Sequence, residues 1–247
     1  MRKIAIVFIL MIAFDAVPCK NLASFAGTVA TITSDNEKAL LDAVAKLNKS
    51  GGVIYINTPI IRVSSLKTIN LSGSIAGGIV GKQQSGGTYP VIDFKPARNN
   101  GSTARGFTIS GSNQYMKYLI IQNSGDNGIW INGSKNTLDH IITRYNGDTG
   151  IQLSDNAVSN TLNYCYSYRN IDVPTFGANA DGFAPKLGAS KTVFNYCLLG
   201  IILMMVGIHM IKKEITLPLF HIYIQPAGIM VIHKFSLVNM IMIINGL

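Results

Sequence analysis

Three short runs of the chain alternate apolar and polar residues behind a glycine: Gly106-Phe-Thr-Ile-Ser-Gly111, Gly128-Ile-Trp-Ile-Asn-Gly133 and Gly150-Ile-Gln-Leu-Ser-Asp155. Their leading glycines lie 22 residues apart, then 22 again, and a fourth run, Gly182-Phe-Ala-Pro-Lys-Leu-Gly188, follows after 32. Alternation with a period of two marks a strand with one buried face. The longer last interval fits a loop inserted at Asp172 to Ala180, rich in Pro, Gly, Ala and Asn. A second apolar series falls between the first: Tyr118 to Asn123, His140 to Asn146, Tyr164 to Asn170 and Val193 to Cys197.

A period near 22 with two or three short strands describes one coil of a parallel β-helix. One coil cannot bury its own apolar face, so several must stack. A leucine-rich repeat would need a Leu-x-x-Leu-x-Leu frame, and a propeller blade a longer period. The expected fold class is therefore all-β, a right-handed parallel β-helix. Asn123, Asn146 and Asn170 recur at 23 and 24, which suggests an asparagine ladder inside a turn. Cys165 and Cys197 are 32 apart, the offset of Gly150 and Gly182, so they belong to one column, either as packed thiols or as a disulfide. Upstream, Ser34-Asp-Asn-Glu37 reads as a capping box that opens a helix over 37–47, with Leu40, Leu41, Val44 and Leu47 on one face. Gly51-Gly52 ends this helix, which would cap the open end of the coil and shield its strand edges. Val53 to Ile56 is expected to be the first strand, and the glycine-rich stretch 73–87 to be loops.

Composition excludes disorder, with 48% hydrophobic and 13% charged residues. Met1-Arg2-Lys3 followed by apolar Ile4 to Phe14 reads as a signal peptide, too short to span a membrane, with cleavage expected after Ala26 and export as the consequence. The net charge of +9 suits a polyanion: nucleic acid, anionic lipid or an acidic polysaccharide.

Carboxylates stand before the strand starts in Asp126-Asn-Gly128, Asp148-Thr-Gly150 and Asp181-Gly182. Asp and Asn before Gly are ordinary turn formers, and Asp126 and Asp148 are read that way. Asp181 differs because it follows the inserted loop, in Asn179-Ala-Asp-Gly-Phe-Ala-Pro-Lys-Leu-Gly188. This run, with Thr108-Ile-Ser-Gly-Ser112, Gly125-Asp-Asn-Gly-Ile129 and Asp148-Thr-Gly-Ile-Gln152, resembles the calcium-dependent pectate lyases of polysaccharide lyase family nine. The resemblance covers about residues 51–197, and the run from Asn179 is its most specific part. It implies a Ca2+ cofactor with Asp181 as one metal ligand, an acidic polysaccharide such as polygalacturonate or pectin as partner, no nucleic acid, and a monomer. Calcium would neutralise the uronate carboxylate so that a base can take the C5 proton, and the C4 oxygen then leaves by β-elimination. In the family the base is a lysine well downstream of the calcium aspartates. Lys186 lies in the matching run but not at that place, so it reads as structural or substrate-facing, and the catalytic residue is unknown.

The family's remaining calcium ligands belong one coil later, in Ser-Asp-Asp-Gly-Trp-Asp. Instead, residues 198–247 turn Ile- and Met-rich, with six of nine methionines and one acidic residue, Glu214. Residues 198–211 with His209 make a poor membrane span. The genetic code favours a shifted reading frame. The last base of each codon joined to the first two of the next forces Asp at Met204/Met205, Gly at Met205/Val206 and Asp at Met210/Ile211. Between these it permits Trp and Tyr, which is compatible with the missing motif. The division expected is a leader at 1–26, a cap and first coils at 27–104, regular coils at 105–199 and an out-of-frame tail at 200–247. The product would be an exported, truncated and inactive lyase. The competing readings are another uronic-polymer lyase or hydrolase on the same fold and a non-catalytic carbohydrate-binding or adhesin-like surface protein.

Overall fold

Among the described residues every strand pairing is parallel, and each joins one coil to the next. The computed structural model describes Phe25 and residues 27–63, 67–95, 103–172, 180–186 and 188–199. Most of the expected leader, most of the inserted loop and the expected out-of-frame tail lie outside these described residues.

The chain begins with β1 (Thr28–Ile32), α1 (Glu37–Ser50), β2 (Gly52–Ile56), β3 (Ile60–Arg62), β4 (Ile69–Leu71), β5 (Gly77–Gly81) and β6 (Val91–Asp93). The regular coils follow: β7 (Phe107–Ile109), β8 (Gln114–Gln122), β9 (Ile129–Ile131), β10 (Thr137–Arg144), β11 (Ile151–Leu153), β12 (Thr161–Asn163) and β13 (Tyr166–Tyr168). Then come β14 (Phe183–Pro185), β15 (Val193–Asn195) and β16 (Leu198–Leu199). The glycine-led runs are β7, β9, β11 and β14, stacked after β4 in a five-stranded sheet. The remaining strands form an eleven-stranded sheet that bends around the rest of each coil.

The expected register holds across the inserted loop. Ile151 pairs with Ile129 on one side and Phe183 on the other, so the 22- and 32-residue intervals describe equivalent coils. Inward columns make the core: Phe107, Ile129, Ile151 and Phe183; then Met116, Leu138, Leu162 and Phe194; then Leu119, Ile141, Cys165 and Cys197. The two cysteines are therefore packed thiols. Both are buried and free, and burial pushes the Cys165 thiol well above its ordinary pKa.

Corners turn on single left-handed residues. Asn113, Lys135, Ser159 and Lys191 form one column with φ between 52° and 60°, and Tyr118, His140, Tyr164 and Tyr196 a second with φ between 51° and 53°. Bulky residues at positive φ cost about 1–3 kcal/mol each. Here the four rings stack on one another, with centroids 5.0, 4.7 and 4.9 Å apart. Such pairs contribute about 0.5–1.5 kcal/mol each, which offsets about a third of the strain in this column.

Buried asparagines close the turns. Asn146 Nδ2 donates to Asn170 Oδ1 at 2.9 Å, and the Asn146 N–H donates to the same oxygen at 3.1 Å. Asn123 does not join this ladder. Its slot is taken by Ser124, whose N–H and hydroxyl donate to Asn146 Oδ1, while Asn123 donates to Asp93. A second ladder, Asn136 over Asn160, lies at the corner before β10 and β12 and was not foreseen.

At the N-terminal end α1 covers the core with Leu40, Ala43, Val44 and Leu47. Asn36, not Ser34, caps it, its side chain accepting from the Ala39 N–H at 3.0 Å. The helix also runs three residues past the expected end, to Ser50. Several short strands escaped the sequence pattern, β1 and β5 among them. β1 precedes the helix and pairs with β2, and the glycine stretch expected as loops contains β5. In β5 the glycines serve close approach: a Cβ at Gly78 would meet the Tyr115 carbonyl oxygen at 2.6 Å.

Candidate active site

Where each coil turns back into the five-stranded sheet, the repeat sets side chains in adjoining columns. Gly106, Gly128, Gly150 and Gly182 form the first. A Cβ on Gly106 would meet the Gly128 carbonyl oxygen at 2.5 Å, so the rungs pass too closely for any other residue. The residues just before them, Arg105, Asn127, Thr149 and Asp181, form the second column. The carbonyls of Asn127, Thr149 and Asp181 each accept from the glycine N–H of the preceding coil, at 2.9, 3.0 and 2.8 Å. Asp126 and Asp148 belong to a third column, one position earlier.

The three carboxylates that precede strand starts thus divide. Asp181 stands in line with Arg105, and its N–H donates to Thr149 Oγ1 at 3.1 Å. Asp126 and Asp148 are a stacked pair on the two coils before it. They do more than form turns, because each is held by a neighbour. Arg105 Nε lies 3.5 Å from Asp126 Oδ2, and Asn127 Nδ2 donates to Asp148 Oδ2 at 3.1 Å. Partial burial, followed by the charge of Asp126, pushes the Asp148 pKa from 3.8 up to about 6. The Thr149 backbone N–H opposes the rise, and Asp172 adds to it.

Outward positions of the same sheet complete the edge. Thr108, Trp130, Gln152 and Ala184 sit side by side on β7, β9, β11 and β14. Gln152 Nε2 donates to Ser154 Oγ at 2.8 Å, and the Arg105 guanidinium lies 4.0 Å above the Trp130 ring. Sequence reasoning missed Arg105 and Trp130. The coil phase contained the signal, since Arg105 precedes Gly106 as Asp181 precedes Gly182. Lys186 lies at the opposite end of β14 from Asp181, half-buried, with its N–H bonded to the Leu153 carbonyl.

Calcium takes about six to eight oxygen ligands. Among the described residues no three carboxylate, imidazole or thiolate groups converge to hold an ion. Asp181 brings one carboxylate to this edge. Among the described residues no helix is long and apolar enough to cross a membrane.

A protein-family profile described as "Pel9A-like, right handed beta helix region" matches residues 21–199. Pectate lyase L of Paenibacillus polymyxa (strain SC2) is 35% identical over 169 residues, which are 64% of this chain and 37% of that protein. The crystal structure of pectate lyase Pel9A matches with a TM-score of 0.60 at 20% identity, over 72% of this chain and 48% of its own. A rhamnogalacturonan lyase matches at 0.55 and 18% identity, over 70% of this chain and 51% of its own. At these identities the structural likeness is one of fold. The chain spans between 37% and 51% of the lengths of these three proteins.

Proposed function

The chain belongs to the Pel9A-like right-handed β-helix family, and from that premise we propose that it is an exported, monomeric pectate lyase-like protein whose reaction is calcium-assisted β-elimination on polygalacturonate. The observation that carries this reading is the register of Asp181. It follows a 32-residue interval, ten longer than the two before it, yet its carbonyl accepts from Gly150 as Thr149 accepts from Gly128. The coil phase therefore puts the carboxylate of the family-specific run on the same edge as Arg105, Trp130 and the Asp126–Asp148 pair.

Asp181 is proposed as one calcium ligand. Calcium, when bound, would neutralise a uronate carboxylate and so acidify the C5 proton beside it. The described residues do not fit a complete site, so the reading also assigns the other ligands and the base to the coil that should follow Cys197. Residues 198–247 carry a single acidic side chain, Glu214, and do not spell that coil in the present frame. The chain with this tail is accordingly proposed to hold the polymer without turning it over. The net charge of +9 favours such retention of a polyanion.

Two experiments test the reading. The codons for residues 203–211, read one base out of phase, should spell Asp-Gly followed by Trp. Codons unable to do so would remove the frame argument. A chain with the frame restored should form ultraviolet-absorbing unsaturated product on polygalacturonate in the presence of calcium. Product from alginate or rhamnogalacturonan alone would reassign the substrate.

A further inference from the structure

Trp130 is the only tryptophan in the sequence, and it projects from the outward face of β9, half-buried, in the middle of the five-stranded sheet. Arg105 is fixed across it. Its guanidinium lies 4.0 Å from the ring centroid, and Nε stands 3.5 Å from Asp126 Oδ2, beyond good hydrogen-bond geometry. Nε is buried and makes no hydrogen bond, and among the described residues no protein acceptor meets the two terminal nitrogens. The side chain keeps 34% of its exposure. A guanidinium plane held by stacking, whose terminal nitrogens meet no acceptor among the described residues, is arranged for bidentate recognition of a carboxylate. The indole edge beside it supplies apolar surface that a sugar ring can cover.

We propose that Arg105 and Trp130 form a calcium-independent subsite for one uronate unit of an acidic polysaccharide, with the sugar carboxylate on the Arg105 terminal nitrogens and the pyranose against Trp130. Trp130 precedes the Asp181 coil by two rungs, about 10 Å along the stack. A polymer following the sheet would therefore occupy this subsite while a different unit lies at Asp181. The inference rests on the polysaccharide-lyase reading for its ligand class, but it requires neither calcium nor the residues after Cys197. Asp126, 3.5 Å from Arg105 Nε, lowers the net charge of the subsite. Selectivity should accordingly come from the paired hydrogen bonds as well as from charge.

The single tryptophan makes the test direct. Full-length protein in EDTA is titrated with oligogalacturonate, and with a neutral oligogalactoside as control, while Trp130 emission is recorded. The expected result is a saturable change with the acidic oligosaccharide alone. Arg105→Ala should weaken it by about tenfold or more, and Arg105→Lys should restore only part of it, because lysine keeps the charge but not the paired donors. Thermal unfolding of each variant checks that the coils are intact, and Arg105→Gln serves if the alanine variant does not fold. An equal response to the neutral sugar, no response in EDTA, or an Arg105-independent response would each overturn the subsite. Calcium-dependent binding that ignores Arg105 would leave the lyase reading standing without it. Arg105-dependent binding of a different polyuronate, with none of oligogalacturonate, would keep the subsite and overturn the pectate assignment.

Discussion

A Cβ added at Gly128 would lie 2.6 Å from the Asn146 amide nitrogen and 2.7 Å from the Gly150 carbonyl oxygen. The repeated glycine is thus required by what passes over it, and no positive φ is involved. Gly128→Ala should destabilise the fold by about 1–3 kcal/mol or more, because the clash is with backbone and a buried ladder side chain. Urea unfolding would show this as a lower midpoint with an unchanged slope. The sequence displayed the glycine period but not its cause, since the cause is a contact between coils. Asp148 gives a second test at this scale. Its folded pKa of about 6 lies above its ordinary value of 3.8, so the fold favours the protonated form. The associated stability is complete below about pH 4 and is lost as pH rises through 6. In EDTA the protein should therefore lose stability between pH 4 and pH 7, and Asp148→Asn should flatten that part of the profile. An unchanged profile in the variant would remove the carboxylate pair as its source.

The ladders decide how the corners are held. Asn170 Oδ1 accepts both from the Asn146 side chain and from the Asn146 backbone N–H in a fully buried turn. Asn170→Ala leaves both donors without a partner and should cost about 2–5 kcal/mol, more than the loss of one hydrogen bond, because desolvated donors are left behind. Differential scanning calorimetry on the variant would check this. A loss below 1 kcal/mol would mean that water replaces the amide. Spacing alone brought Asn146 and Asn170 together correctly and misassigned Asn123. Its 23-residue interval to Asn146 differs from the 22 of the coil by one, and one residue moves a side chain to the next column. The helix was legible from its apolar face, but its cap was not: Ser34 and Asn36 are both good capping residues, and only geometry selects Asn36. β1 and β5 were missed because β1 has little alternation and β5 is mostly glycine. Their place is determined by pairing with neighbouring coils.

Across the whole molecule, coil phase was the legible quantity. It predicted the equivalence of the 22- and 32-residue intervals and the position of Asp181 on the next rung. Asp181 was set apart from Asp126 and Asp148 by the inserted loop; that the latter two stack as a pair one column away emerges only once the coils close. Coil phase did not bring out Arg105 and Trp130, which are remote in sequence from Asp181 and share its edge only after several coils have closed. On the proposed reading, the remaining ligands and the base belong to the coil that should follow Cys197. The deciding measurement is the rate of unsaturated-product formation from polygalacturonate, compared between the present chain, a frame-restored chain and the restored chain carrying Asp181→Ala, each with calcium and with EDTA. The account predicts no product from the present chain, calcium-dependent product from the restored one, and a loss of at least about a hundredfold with Asp181→Ala, as expected when a metal-binding carboxylate is removed. Turnover by the present chain, or a restored chain indifferent to Asp181, would contradict it.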